Sequence, residues 1–128
     1  MRTSIAIAIA LMSATAAHGQ TATRTVVSGQ TMRIGFYNTT NPDCTAVGRT
    51  TIRLTYPPEH GRATITQTTG FPSFPQSNVR SACNTRRVAG TAINYTSQRG
   101  FVGTDNLQVE VIFASGTSRQ VSYTLNVR

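Results

Sequence analysis

The last third of the chain has its clearest alternation of hydrophobic and polar positions. Two runs alternate there, and their apolar residues are Leu107, Val109, Val111 and Phe113, then Val121, Tyr123, Leu125 and Val127. Every second side chain of a strand points to the same face, so each run predicts a β-strand with one buried face. The short connection between them contains Gly116, which is typical of a β-hairpin.

Shorter alternating runs precede this hairpin. They predict strands at residues 31–37, 50–56, 62–68 and 91–96, and a short β-prone piece at 25–27. We expect loops at residues 69–90 and 97–105, and an irregular polar start at 20–24. About seven short strands with no helical periodicity predict an all-β fold, a sandwich or a barrel, formed by one domain over residues 20–128.

The N-terminal segment has the layout of a secretory signal peptide over residues 1–19. Arg2 is followed by an apolar run at 5–12 and then by small residues, with cleavage expected after Ala16 or, by preference, after Gly19. The run is shorter than the roughly 20 residues that span a bilayer. We therefore expect a periplasmic or secreted protein without stable membrane insertion after processing; a retained membrane anchor is the alternative.

The chain has two cysteines, Cys44 and Cys83. In an oxidising compartment they can form a disulfide, which would stabilise a domain of this kind by about 4 kcal/mol by closing a long loop. Two free thiols or a shared metal ion are the alternatives. Two isolated cysteines without a CxxC pattern make a poor zinc site.

The chain is strongly basic. All twelve basic residues are Arg, against four acidic residues, and the net charge is +8. Such a surface attracts polyanions such as lipopolysaccharide, anionic lipid, acidic glycans or nucleic acid. A codon bias toward Arg, with charge serving only solubility, would give the same total.

The best candidate for binding is the loop around Cys83. It contains Arg80, Arg86 and Arg87, with Phe71 and Phe74 nearby. The guanidinium fork of Arg matches carboxylate and phosphate groups, and neighbouring aromatic rings can stack on a ligand. The residues that could extend this anion-binding patch, if the fold brings them near, are Arg62, Arg99 and Arg119. The alternative is a solvated loop whose Phe side chains cover one end of the core.

Three short motifs give a family resemblance: residues 58–61 (PEHG), 93–96 (INYT) and 100–105 (GFVGTD). In this order they resemble the bacterial Ig-like and cadherin-like domains of secreted and surface proteins. The resemblance implies an Ig-like antiparallel β-sandwich of about seven strands, an exported location and no catalytic activity. The chain departs from the pattern at Leu107 and Val109, where family members carry aromatics, and at the hairpin tip, which lacks an acidic residue. With four scattered acidic residues we expect no calcium or other metal site.

Catalytic patterns are missing from the sequence. We expect His60 to pack locally in a turn and the Asp105 side chain to accept backbone N–H bonds. The chain is therefore predicted not to be an enzyme and to need no cofactor. The expected role is a structural or interaction module of the bacterial cell envelope, with an unknown protein partner. The alternative is a binder of anionic envelope ligands through an Arg-rich face, with nucleic acid the least expected ligand.

Overall fold

A computed structural model describes residues 19–128; the predicted signal peptide, apart from Gly19, lies outside the described residues. The strands, in chain order, are β1 (Gln20–Val26), β2 (Thr31–Tyr37), β3 (Thr51–Tyr56), β4 (Gly61–Gly70), β5 (Val88–Ser97), β6 (Gly103–Ile112) and β7 (Ser118–Val127). A short 3₁₀ helix, Val79–Thr85, lies between β4 and β5. No helix within residues 19–128 is both long and apolar enough to cross a membrane.

The strands form two sheets. One has four strands in the order β1-β7-β6-β3, and the other has three in the order β2-β5-β4. Four strand pairs are antiparallel, but β1 pairs with β7 in parallel, from Gln20 beside Val121 to Val26 beside Val127. The prediction of an all-β protein with about seven strands is confirmed, whereas the expectation of purely antiparallel pairing is wrong at β1.

The two sheets share one hydrophobic core, as in a β-sandwich. Its members from the three-stranded sheet are Ile34, Ile93 and Tyr95. Its members from the four-stranded sheet are Val26, Ile52, Leu107, Val109, Val111, Val121, Tyr123, Leu125 and Val127. The alternating apolar positions of the predicted hairpin thus form much of the core.

Two hydrogen bonds cross between the sheets inside this core. The hydroxyl of Tyr95 on β5 donates to the Asp105 carboxylate on β6 at 2.7 Å. The hydroxyls of Tyr37 on β2 and Tyr123 on β7 lie 2.6 Å apart. Burial, together with these bonds, raises the pKa of Tyr95 and of Tyr123 above the ordinary tyrosine value.

Sequence periodicity located most strands but not all of their ends. The prediction for β2 is confirmed, and those for β3, β4, β6 and β7 are confirmed to within a few residues. The prediction of an irregular polar start is wrong, because residues 20–24 belong to β1. The predicted loops were too long, because residues 88–90 belong to β5, residues 103–105 belong to β6, and residues 79–85 form the 3₁₀ helix. These segments have few apolar side chains, so backbone pairing with neighbours decides their structure.

Candidate functional site

A groove of about 320 Å³ lies at the end of the sandwich where the β6–β7 turn is found. We call this end the hairpin end. Two guanidinium groups, Arg80 and Arg119, and two aromatic rings, Phe74 and Phe113, line the groove. Its polar lining includes Asn38, Thr39, Asn78, Ser115 and Thr117. None of the lining residues is acidic, so the two Arg charges are not neutralised within the groove.

Arg80 is held in place by hydrogen bonds to its own turn and to the chain after β2. The Asn78 side chain caps the 3₁₀ helix and accepts a hydrogen bond from the Arg80 backbone N–H at 2.8 Å. The Arg80 Nε–H donates to the Thr40 carbonyl oxygen at 2.6 Å. One edge of the guanidinium is therefore used for positioning, while Nη1 and Nη2 have no hydrogen-bond partner among residues 19–128.

A disulfide and an amide side chain fix the segment that carries Arg80. Cys83, the buried residue of the 3₁₀ helix, is bonded to Cys44, with Cα atoms 5.5 Å apart, so the predicted disulfide is confirmed. The Asn84 side chain accepts from the Phe74 N–H and donates to the Phe74 carbonyl oxygen, each at 2.8 Å. The long segment before β5 is thus pinned, and Arg80 and Phe74 are placed on the groove together.

The opposite wall of the groove comes from the terminal hairpin. Phe113 follows β6, and Arg119 lies near the start of β7, where its guanidinium carbon is 5.3 Å from the Phe113 ring centroid. Its Nη1 donates to the Gln20 side chain at 3.1 Å. Stacking on the ring keeps the guanidinium extended beside the groove and leaves its charge exposed.

The other four predicted anion-binding residues lie elsewhere. Arg86 and Arg87 are exposed just after the 3₁₀ helix, and Arg87 stacks over Phe71, with its guanidinium carbon 5.1 Å from the ring centroid. Arg62 lines a second pocket with Thr96, Ser97 and Gln98.

Arg62 and Arg99 are on the far side of the molecule from the groove. Arg62 pairs with Thr96 near the end of β5, and Arg99 comes two residues after that strand ends. Tyr37, one residue before the groove lining, pairs with Thr91, which places the two ends about 16 Å apart along β5. The six residues therefore do not form one patch: the fold brings Arg80 and Arg119 together and does not bring Arg62 or Arg99 to them.

The acidic residue that accepts the most hydrogen bonds in residues 19–128 is Asp105, and its partners belong to the protein framework. Asp105 is 2% exposed, and its carboxylate accepts from the backbone N–H groups of Glu59, His60 and Asn106 as well as from Tyr95. The prediction that Asp105 accepts backbone N–H bonds is confirmed. These four donors occupy both oxygens and leave the carboxylate little capacity for a ligand.

His60 packs as expected for a turn residue. Its ring stacks on Phe101 with centroids 4.2 Å apart, and its Nε2 lies 4.0 Å from a Glu59 carboxylate oxygen. On β6, a carboxylate oxygen of Glu110 lies 3.7 Å from Arg53 Nη1, so this acidic side chain is paired with a basic one. Within residues 19–128, no three His, Cys, Asp or Glu side chains are grouped so that they could hold a metal ion.

Sequence reasoning missed Phe113 and the amide side chains as groove residues. Phe113 was predicted only as a strand position, because alternation does not distinguish a core ring from one at the mouth of a groove. Asn78 did carry a signal, since Asn is favoured as an N-cap residue. Nothing in the local sequence marks Asn38 and Thr39 as groove residues, because only the pairing of β2 with β5 places them beside the 3₁₀ helix.

No family model and no curated protein sequence matches the chain. Among solved structures, the chain is similar to the solution structure of Amebosin. The two share 15% sequence identity over 83% of this chain and 88% of that chain, with a TM-score of 0.47. This likeness is too weak to establish a common fold.

Proposed function

We propose that this protein is an exported, non-enzymatic binding module of the bacterial cell envelope that takes an anionic ligand in the groove at the hairpin end. The observation that carries the proposal is the convergence of Arg80 and Arg119, from distant parts of the chain, on one groove with two aromatic walls and no acidic residue. A carboxylate or phosphate group bound between them would gain charge-assisted hydrogen bonds. Phe74 and Phe113 would contact the apolar part of the same ligand.

An Ig-like fold and export are parts of this proposal. An Ig-type sandwich places its third, sixth and seventh strands in one sheet and its second, fourth and fifth in the other. The order β7-β6-β3 beside β2-β5-β4 supports that assignment, although β1 joins the first of these sheets here. The Cys44–Cys83 disulfide supports a periplasmic or secreted location, because disulfides persist in oxidising compartments.

Two features of the groove favour a defined ligand over general attraction to polyanions. The Arg80 side chain is held at Nε, and the Arg119 side chain stacks on Phe113, so both charges are presented in fixed positions. Preorganised groups lose less entropy when a ligand binds.

The test compares two charge-reversed proteins of equal net charge. Arg80→Glu with Arg119→Glu alters the groove, and Arg62→Glu with Arg99→Glu makes the same change in charge at the far end. Retention on a heparin column at rising salt and titration with purified lipopolysaccharide provide the readouts. Hydrogen bonds to a charged group contribute about 1.5–3 kcal/mol each, so we expect the groove variant to lose at least about tenfold in affinity for lipopolysaccharide.

The control variant, Arg62→Glu with Arg99→Glu, distinguishes binding at the groove from a general effect of net charge. It should bind lipopolysaccharide within a small factor of the unmodified protein. Equal losses in both variants would mean that only total charge matters and would contradict the groove proposal. Binding that does not weaken as salt rises would contradict the electrostatic basis itself.

A further inference from the structure

The four edge strands of the two sheets are protected to different degrees. Natural proteins protect exposed edges by bulges, charges, prolines or short strands. Strand β2 has a register shift between Arg33 and Gly35. Strand β3 has six residues and a register shift after Leu54, and prolines follow its end. Strand β1 is short and carries a charge at Arg24.

Strand β4 has none of these protections along its middle. It pairs with β5 without a register shift over all ten residues, from Gly61 to Gly70, so its edge is regular. Its one charged residue is Arg62, near one end. From Thr64 to Gln67 the side chains are exposed, including Ile65 at 36%. A regular edge presents a row of N–H and C=O groups, unpaired within the chain, to which another extended backbone can bind along the whole strand.

We propose that β4 pairs antiparallel with β4 of a second copy of this chain, around a two-fold axis at Ile65. The sequence of the strand fits this register. Ile65 would face its own copy and cover an exposed apolar side chain, and Thr64 would face Thr66 in a threonine pair of the kind that stabilises sheets. Arg62 would face Thr68, so the two Arg62 charges would lie about 20 Å apart along the strands. The two three-stranded sheets would become one sheet of six strands.

A second copy fits this edge better than a charged partner does. The central residues carry neither acidic nor basic groups that would select a complementary charge, whereas a symmetric pair needs only a self-complementary strand. One strand pair buries less surface than a stable dimer normally needs. We therefore expect a reversible dimer with a dissociation constant on the order of 10 μM or weaker.

The test uses lysines placed on the proposed contact. Thr64→Lys with Thr66→Lys would set like charges directly opposite each other across the two-fold axis. Thr21→Lys with Thr23→Lys makes the same change in charge at two exposed threonines of the β1 edge. Sedimentation velocity over a concentration series measures the dimer in each purified protein. Like charges opposite each other in a strand pair destabilise it, so we expect the β4 variant to dimerise about tenfold or more weakly than the other two.

Each outcome bears on the proposal. A dimer in the unmodified protein and the β1 variant, lost in the β4 variant, supports it. A monomer at every concentration in the unmodified protein overturns it, as does equal dimerisation, or equal loss, in both variants. Hydrogen exchange of the unmodified protein gives a second readout that needs no variant. The amides of residues 62–68 that point away from β5 should become more protected as concentration rises. Protection of these amides that does not change in a sample shown to be dimeric would place the contact elsewhere.

Discussion

Replacement of Asp105 should cause a larger loss of stability than any other single acidic substitution in residues 19–128. Its carboxylate accepts from Glu59 N and His60 N, both at 3.1 Å, from Asn106 N at 2.9 Å and from the Tyr95 hydroxyl at 2.7 Å. These donors belong to the β3–β4 turn, to β5 and to β6. One side chain therefore ties that turn to both sheets.

The size of the effect follows from which donors would be left without an acceptor. In Asp105→Ala the Tyr95 hydroxyl, fully buried, would lose its acceptor at a cost of about 1–3 kcal/mol. The backbone amides of Glu59 and His60 are nearer to solvent, so water would replace part of what they lose. Together we expect about 4 kcal/mol less stability for Asp105→Ala, and about 2 kcal/mol less for Asp105→Asn, which keeps one acceptor oxygen.

Urea unfolding followed by far-ultraviolet circular dichroism measures these differences. A double-mutant cycle with Tyr95→Phe isolates the buried bond, because the phenylalanine has no hydroxyl to leave unsatisfied. Tyr95→Phe should therefore cost less in the Asp105→Ala background than in the unmodified protein. Asp43→Ala is the control: its carboxylate is exposed, with its pKa lowered chiefly by the hydrogen bond from the Thr45 side chain, and we expect little change. A loss below about 1 kcal/mol for Asp105→Ala, or an additive cycle, would refute the reasoning.

Three further predictions concern other parts of the structure. Replacing Cys44 and Cys83 together with Ala should lower stability by about 4 kcal/mol in thermal unfolding and also weaken lipopolysaccharide binding, because the 3₁₀ helix loses its tether. Since burial raises the pKa of Tyr95 and Tyr123 above 10.0, the folded protein keeps protons that the unfolded chain loses. Stability should be unaffected by these groups below pH 10 and should then fall by about 1.4 kcal/mol per pH unit for each tyrosine, as urea unfolding at rising pH would measure. Gly61→Ala should lose about 2 kcal/mol in urea unfolding, because a Cβ there would lie 2.5 Å from a carbonyl oxygen of β5.

Local sequence predicted the parts of the fold in which one face of a strand is buried. The runs ending in Phe113 and Val127 alternate because their inward side chains form the core. Strand β1 was missed because in residues 20–25 only Ala22 packs against the core, and the strand is held by backbone bonds to β7. Which strand lies beside it depends on the topology of the whole sandwich. No local pattern contains that information.

Only part of the candidate site could be predicted, because local sequence does not show which distant segments meet in the fold. Arg80 and Phe74 were recognised as a basic and aromatic segment, and the disulfide was predicted from the compartment. Arg119 was named as a possible extension, but its place beside Arg80 depends on how the terminal hairpin meets the 3₁₀ helix. In the sequence, Arg62 and Arg99 are indistinguishable from the groove arginines, yet they lie at the far end of the sandwich. Charge in a sequence therefore indicates a class of ligand, and only the fold selects which charges act together.

The parallel pairing of β1 with β7 has a mechanical consequence. The chain enters β1 at the hairpin end, beside Val121, and leaves β7 at the opposite end, beside Val26. Tension that pulls residues 20 and 127 apart would therefore act along both strands and load their hydrogen bonds in shear. All seven registered residue pairs would have to yield together, whereas a force across a strand pair opens it one bond at a time. Resistance to force depends on the unfolding rate, so this one strand pair would determine how long the domain survives under load.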